Sequence, residues 1–340
     1  MKIVLDVMSG DNPAAEFVKG AVMAKKKFGV DIVLVGDENQ IKEALASCGS
    51  STDDFEIVNT CDVITMEDDP MSITKEHSES SMATALKLVA NGEGDAVVSA
   101  GNTGALFTGA TLIEKRIRGV RRAALATVIP FQNPDLLLDC GANVTVTPEY
   151  LVQFAYLGSI YMECVLGVKS PRVALLNNGT EAHKGTPTVV EAYNLLKNAE
   201  DLNFVGNVEG KSVQFDACDV VVADGFTGNV FLKTSEGVSK FVIRNLKEGI
   251  LKGIGGLIAA LLKGKSLKKL VKRFDAKEYG GAPFLGLAKP VIKAHGDSDA
   301  RAICAALGMA AKYSETGVVE KIEACSDKFP KKALAEKTAK

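Results

Sequence analysis

The chain has 340 residues, 46% of them hydrophobic, and a formal net charge of −2. That supplies apolar material for one large α/β domain or two modest ones, but no apolar run approaches the roughly 18 residues that a membrane span needs. Seven scattered cysteines without a C-x-x-C pair, only three histidines and no Asp-rich loop argue against a disulfide framework and against a dedicated metal site.

Reduced thiols point to a cytosolic protein, and the start, MKIVLDVMSGD, enters an apolar strand and meets Asp6 at once, which is not the pattern of a signal peptide. Short β-branched runs then alternate with longer helical patterns. Strands are expected at Ile3–Asp6, Ile32–Val35, Phe55–Asn59, Ala96–Ser99, Leu136–Asp139, Val173–Leu176, Asn203–Gly206, Val220–Ala223 and Val291–Ala294. Helices are expected at Ala15–Lys27, Gln40–Ala46, Met82–Val89, Pro148–Leu166 and Val189–Lys197. Such alternation implies βαβ units and a mainly parallel sheet covered by helices on both faces. No Pro/Ser-rich linker divides the chain, so residues 1–340 are read as one α/β domain.

The loops after the strands share one character: Met8-Ser9-Gly10-Asp11, Gly101-Asn102-Thr103-Gly104, Gly141-Ala142-Asn143, Asn177 to Glu181, Gly225 to Asn229 and His295 to Ser298. All are rich in Gly, Asn, Thr, Ser or Asp, and ligands of open α/β sheets bind outside the carboxyl ends of the strands. Two of these loops belong to a repeated phrase. Asp95–Phe107, DAVVSAGNTGALF, and Asp219–Phe231, DVVVADGFTGNVF, agree at seven of thirteen positions, including all of Gly-x-Thr-Gly. A strand that ends so and runs into a helix offers free N–H groups, close backbone approach and a Thr hydroxyl: an anion cradle. The same phrase also suits two ordinary helix starts with threonine caps. The spacing is neither a Walker A loop nor a dinucleotide fingerprint.

Among charged candidates, Lys184 lies just past a strand end, and Lys233 follows the second cradle by about one helical turn. Either could neutralise a bound phosphate as a point charge. His295, ending VIKAH, could act as base, acid or phosphate donor, whereas His77 and His183 look structural. Asp224 ends the second repeat strand, and acids at strand ends, Asp6 and Asp11 among them, can fix loops or orient donors. With no Gly-x-Ser-x-Gly elbow and no cysteine beside a base, covalent catalysis is unsupported.

DVMSGD, SAGNTGAL, LLDCGANV with PEYLVQFA, LLNNGTEAHKG, FVGNVEG, DGFTGNVFLKTSEG, YGGAPFLG and VIKAHGDSDARAI run in order over nearly the whole chain. In them the sequence resembles the phosphate acyltransferases of bacterial phospholipid synthesis. The resemblance implies a homodimeric, three-layer α/β/α enzyme with a mostly parallel sheet, similar in fold to phosphotransacetylases and the isocitrate-dehydrogenase group. It implies acyl carrier protein thioesters and inorganic phosphate as substrates, acyl phosphate as product and no cofactor. Two departures show: the first loop of the family reads Asp-Ala-Met-Gly-Gly-Asp where this chain has Val7 and Ser9, and Asn178 replaces an apolar residue. Gly10 and Asp11 are therefore preferred to Ser9 as ligand contacts. On the reading of the loops, Asn102, Thr103, Gly104, Thr227, Gly228 and Asn229 cradle phosphate, with Gly10, Asp11, Asn143, Thr180, Glu181 and Lys233 nearby. Lys184 neutralises the anion, His295 handles a proton or donates to the oxyanion, and Asp224 is a third catalytic candidate. A coenzyme A-dependent phosphotransacetylase-like enzyme and an isocitrate-dehydrogenase-like oxidoreductase are the rival readings; the latter lacks a visible metal-binding acid cluster.

Residues 240–278 interrupt the sheet pattern as a basic helical insert. Between Lys240 and Phe274 there are ten Lys/Arg against one acid, Glu248. Glycines at 253, 255 and 256 suggest a protruding hairpin with an apolar stripe through Leu257 and Leu261, followed by Lys265, Lys268, Lys269 and Arg273. Such a tip suits an anionic bilayer, an acidic carrier protein or a dimer interface. Peripheral contact with the inner face of the cell membrane is expected, since the acyl product must reach a membrane glycerol-3-phosphate acyltransferase; nucleic acid is not an expected partner.

Overall fold

Every run singled out as a strand forms one, and two further strands join them. The computed structural model describes residues 1–130, 134–251 and 280–330. The strands are β1 (Lys2–Asp6), β2 (Asp31–Gly36), β3 (Glu56–Asn59), β4 (Ala96–Ser99), β5 (Ala124–Pro130), β6 (Pro134–Leu138), β7 (Val173–Asn177), β8 (Phe204–Glu209), β9 (Val220–Val222), β10 (Ala282–Leu285) and β11 (Val291–Lys293). The α-helices are α1 (Ala14–Phe28), α2 (Glu38–Ser47), α3 (Ser81–Ala90), α4 (Thr103–Gly109), α5 (Pro148–Tyr161), α6 (Pro187–Lys197), α7 (Gly210–Val213), α8 (Gly225–Leu251), α9 (Ala300–Glu315) and α10 (Val318–Cys325). Local signals set their ends. Asp37 caps α2 by accepting the Gln40 N–H, and α1 stops at Gly29, whose φ of 68° suits glycine.

The strands form one sheet in the order β3-β2-β1-β4-β11-β10-β5-β6-β9-β7-β8. β3 through β11 are mutually parallel, as are β6, β9, β7 and β8. Between these halves β10 and β5 run antiparallel to each neighbour. The sheet is thus mostly parallel, as expected, but its centre is not. Three successive reversals make the two halves run in opposite senses. Sheet twist of roughly 20–25° per strand turns β9 by about 100° over the five steps from β4. With that twist the carboxyl ends of β4 and β9 do not point in strictly opposite directions.

Strand alternation divides the core into two layers. In the first half Ile3, Leu5, Leu34 and Val98 pack with Phe17, Val18, Ile303 and Leu307 of α1 and α9. Val4, Val33, Val35 and Val97 face the other way, onto Ile73, Met82 and Leu86. In the second half Leu136, Leu138, Val173 and Val220 meet Phe154 and Leu157 of α5, while Leu137, Ala174 and Val221 point to the opposite side. A fully buried side chain such as Phe17 or Phe154 contributes about 1.5–3 kcal/mol of transfer free energy.

The basic insert begins as an unbroken continuation of α8 up to Leu251. Its expected contact residues Leu257, Leu261, Lys265, Lys268, Lys269 and Arg273 lie outside the described residues. Among the described residues no helix is long and apolar enough to cross a membrane.

Candidate functional site

Three loops at the carboxyl end of the first half are stitched together. Buried Asp6, ending β1, accepts the N–H groups of Met8 (3.2 Å) and Ser9 (3.3 Å) and the hydroxyl of Ser99 (2.7 Å). Ser99 Oγ in turn accepts the Gly101 N–H, and the Asp11 N–H donates to Gly296 O across to the loop after β11. Lys293, at the end of β11, closes the set by donating from Nζ to Ala100 O at 3.0 Å and to Ala294 O.

The first Gly-x-Thr-Gly phrase opens α4. Its cap is Asn102, whose Oδ1 accepts the Ala105 N–H at 3.1 Å. The Asn102 amide also donates to the carbonyls of Thr65, Met66 and Asp68, tying the cap to the segment that crosses from β3 to α3. His77 holds that segment from within, with Nδ1 2.8 Å from Asp62 Oδ1. Among the described residues the N–H groups of Thr103 and Gly104 have no acceptor, which leaves them open to an anion. Asn102→Ala is expected to cost about 0.5–2 kcal/mol, the usual worth of such a cap. Denaturant unfolding reads the loss, and hydrogen exchange should speed up over residues 65–68.

The second phrase is built differently. Asp224 is the cap of α8: its carboxylate accepts the Thr227 N–H at 2.8 Å and the Thr227 hydroxyl at 2.7 Å. The Gly225 N–H donates to Asn143 O, and the Gly228 N–H to Asp224 O. Most donors expected to face phosphate at this helix start are therefore bonded within the protein. The glycines answer to packing. A Cβ on Gly228 would collide with Asp139 O, one on Gly225 would lie 2.8 Å from Asn143 O, and one on Gly104 would lie 2.8 Å from Pro70 Cγ. What fills the missing side chain is neighbouring backbone or proline, so the repeat also encodes a pair of closely packed helix seats.

Asp139 organises this half. Fully buried at the end of β6, its carboxylate accepts the N–H groups of Leu125, Gly141, Ala142 and Asn143 and the Asn143 side-chain amide. Burial pushes its carboxyl above the ordinary range, against the pull of these donors. Asn143 is spent on the same network: its amide also donates to Ala123 O at 2.8 Å. Asn229 stands exposed beside Gly141. Lys233, one turn on, pairs with Glu236 at 3.2 Å.

Charges on α8 reach the first half. His295 is accessible to solvent, yet enough protein surrounds it that desolvation holds its pKa below the ordinary histidine value. Glu236 opposes that shift, and Lys233 and Lys293 reinforce it. Lys293 is pushed down to about 8, first by burial and then by Lys233, against Asp11 and Asp6. Lys233 and Glu236 of α8 thus lie close enough to the loop after β11 to act on His295 and Lys293.

The loop after β7 carries Thr180, Glu181 and Lys184, all exposed. It is shaped by Asn177 Nδ2 donating to Lys184 O and Asn207 Nδ2 donating to Glu181 O. β7 pairs in parallel with β9, so this loop belongs to the same rim as Asp224 to Asn229. Among the described residues no hydrogen bond or ion pair joins it to the first half.

The structure therefore brings together Gly10, Asp11, Asn102, Thr103, Gly104 and His295 on one side, and Asn143, Asp224, Thr227, Gly228, Asn229 and Lys233 on the other. Thr180, Glu181 and Lys184 stand at the outer edge. Asp139 and Lys293 were missed. A signal existed for Lys293: a lysine closing a strand of apolar residues, two positions before the histidine already chosen.

Comparison with known proteins places these features. The profile of the family described as fatty acid synthesis protein matches residues 1–321. A phosphate acyltransferase of Fusobacterium nucleatum is 46% identical over 325 residues, covering 95% of this chain and 98% of that protein. One from Clostridioides difficile is 43% identical and covers 97% of both chains. A phosphotransacetylase crystal structure from Streptococcus pyogenes shares the fold, with a TM-score of 0.63 over 92% of this chain and 94% of that one, at 18% identity. These relationships span the sheet and every loop described above, and by them the chain belongs to the phosphate acyltransferase family, within the fatty acid synthesis proteins.

Proposed function

We propose that the protein makes acyl phosphate from a long-chain acyl-[acyl carrier protein] thioester and inorganic phosphate. The observation that supports this reading is the open helix-start N–H groups of Thr103 and Gly104 on a loop tied through Lys293 to the loop of His295, which also feels the charge of Lys233 on α8. A phosphate oxygen attacks the thioester carbonyl; a C–O bond forms, the C–S bond breaks, and the proton of hydrogen phosphate ends on the departing thiolate. Hydrogen phosphate already carries a nucleophilic oxygen, so the protein's task is to hold it in line and to stabilise the carbonyl oxyanion. Thr103 and Gly104 hold the phosphate from the first half, and Asn229 and Lys184 from the second. His295, neutral near pH 7, accepts the proton and passes it on. Asp224, Thr227 and Asn102 position these groups.

Incubation with palmitoyl carrier protein and labelled phosphate should yield labelled acyl phosphate. Turnover of palmitoyl coenzyme A but not of the carrier thioester would favour the phosphotransacetylase-like alternative, and turnover of neither would end the proposal. A second copy is the proposed cover for Phe226, Val230, Val238 and Phe241, which stand exposed along α8. Sedimentation should find a dimer, and a monomer at micromolar concentration would count against it.

A further inference from the structure

We infer that Lys293 is a phosphate-binding cation of this site as well as the staple between its loops. The inference rests on the proposed reaction for its substrate, but its geometry stands alone. β11 lies between β4 and β10 near the middle of the sheet, and Lys293 pairs in register with Ser99 on one side and Ala282 on the other. A lysine there cannot simply extend into open solvent. Its ammonium has three protons, and the structure gives it two carbonyl acceptors: Ala100, two residues before the α4 cap, and Ala294, just before His295. Both acceptors are neutral, so the bonds hold the ammonium without cancelling its charge. The positive charge is therefore fixed at the junction of the two loops that flank the cleft, with one proton left for a ligand.

The charged groups facing Lys293 come from three directions. Asp6 and Asp11 lie on the first loop, Lys233 with its ion-pair partner Glu236 on α8, and His295 on its own loop. Burial and the nearby Lys233 disfavour the ammonium, and the two aspartates support it in some measure. A dianion bound beside Lys293 would offset both the burial of its ammonium and the push of Lys233, which the ion pair of Lys233 with Glu236 does not remove.

Phosphate binding requires the protonated amine, so it should weaken as pH rises through about 8.

The test uses the full-length chain with Lys293→Met and Lys293→Arg, with inorganic phosphate as the probe. Lys293→Met should raise the phosphate KM about ten- to a hundredfold, the worth of a charge-assisted hydrogen bond, with a much smaller effect on the acyl substrate KM. Lys293→Arg should keep phosphate binding and lose the fall above pH 8, because guanidinium does not titrate there. Thermal stabilisation of the parent by phosphate, lost in Lys293→Met, provides a readout independent of turnover. If the parent forms no acyl phosphate, the proposed reaction fails while the thermal measurement still judges Lys293. An unchanged phosphate KM in Lys293→Met overturns the inference. Should that variant not fold, a Lys293→Arg profile falling at the same pH as the parent overturns it equally.

Discussion

Asp139→Ala is expected to lose about 3–5 kcal/mol of folding stability, the range seen when one partner of a buried charged network is removed. The carboxylate accepts four backbone N–H groups and the Asn143 amide, and it is fully buried. Its removal leaves donors from the start of β5 and from the loop after β6 without acceptors in a space that water must enter to satisfy. The damage travels further, because the same loop seats α8: the Gly225 N–H bonds to Asn143 O, and Gly228 rests against Asp139 O. Activity should therefore fall together with stability. Asp139→Asn should be only slightly better, since its new amide donor faces N–H groups that are themselves donors. Urea unfolding monitored by circular dichroism provides the check. A shift within about 0.5 kcal/mol, typical of a surface substitution, would show that the network is not what holds this half together.

His295→Gln should lower kcat by about a hundred- to ten-thousandfold, the usual contribution of a positioned proton acceptor, with little change in stability because the ring is exposed. The pH profile gives a sharper test. Desolvation, reinforced by Lys233 and Lys293, holds the His295 pKa below the ordinary value of 6.5. The neutral form that accepts a proton is then the majority species at pH 7. As pH falls through that lowered pKa the ring charges and the rate should drop, placing the acid limb of kcat/KM below pH 6.5. In His295→Gln that limb should vanish. A variant that retains it would assign the titration to another group and remove His295 from proton transfer.

Much of this architecture was legible in the residues. Continuous β-branched runs such as Val97-Val98 and Val220-Val221-Val222 announce buried parallel strands, and all nine expected strands form. β5 and β10 were not foreseen, for a reason visible in their composition. "ALATVIP" is diluted by alanine, and "APFL" is short, contains a proline and is flanked by glycines. Those two strands set the opposite senses of the two halves, so the shape of the cleft escaped notice along with them. The repeated phrase was seen, but a sequence does not say what occupies the space beside a glycine. Gly228 reads equally well as room for a phosphate or room for Asp139 O, and the fold chose the latter. Asp224 likewise reads as an acid near a cradle until the Thr227 N–H and hydroxyl are found on it. Asp139 draws one donor from a residue fourteen positions away, and no local pattern encodes that contact. Lys293 was not singled out, because only the order of strands places it between neighbours.

The account depends on a single anion being shared between the two halves of the sheet. A crystal of the full chain soaked in phosphate tests that most directly. The expected result is one phosphate at the start of α4, hydrogen-bonded to the N–H groups of Thr103 and Gly104, with the Lys293 ammonium and a group from α8 or the Lys184 loop completing its shell. Phosphate bound only at the outer loop after β7, with the α4 start left empty, would contradict it.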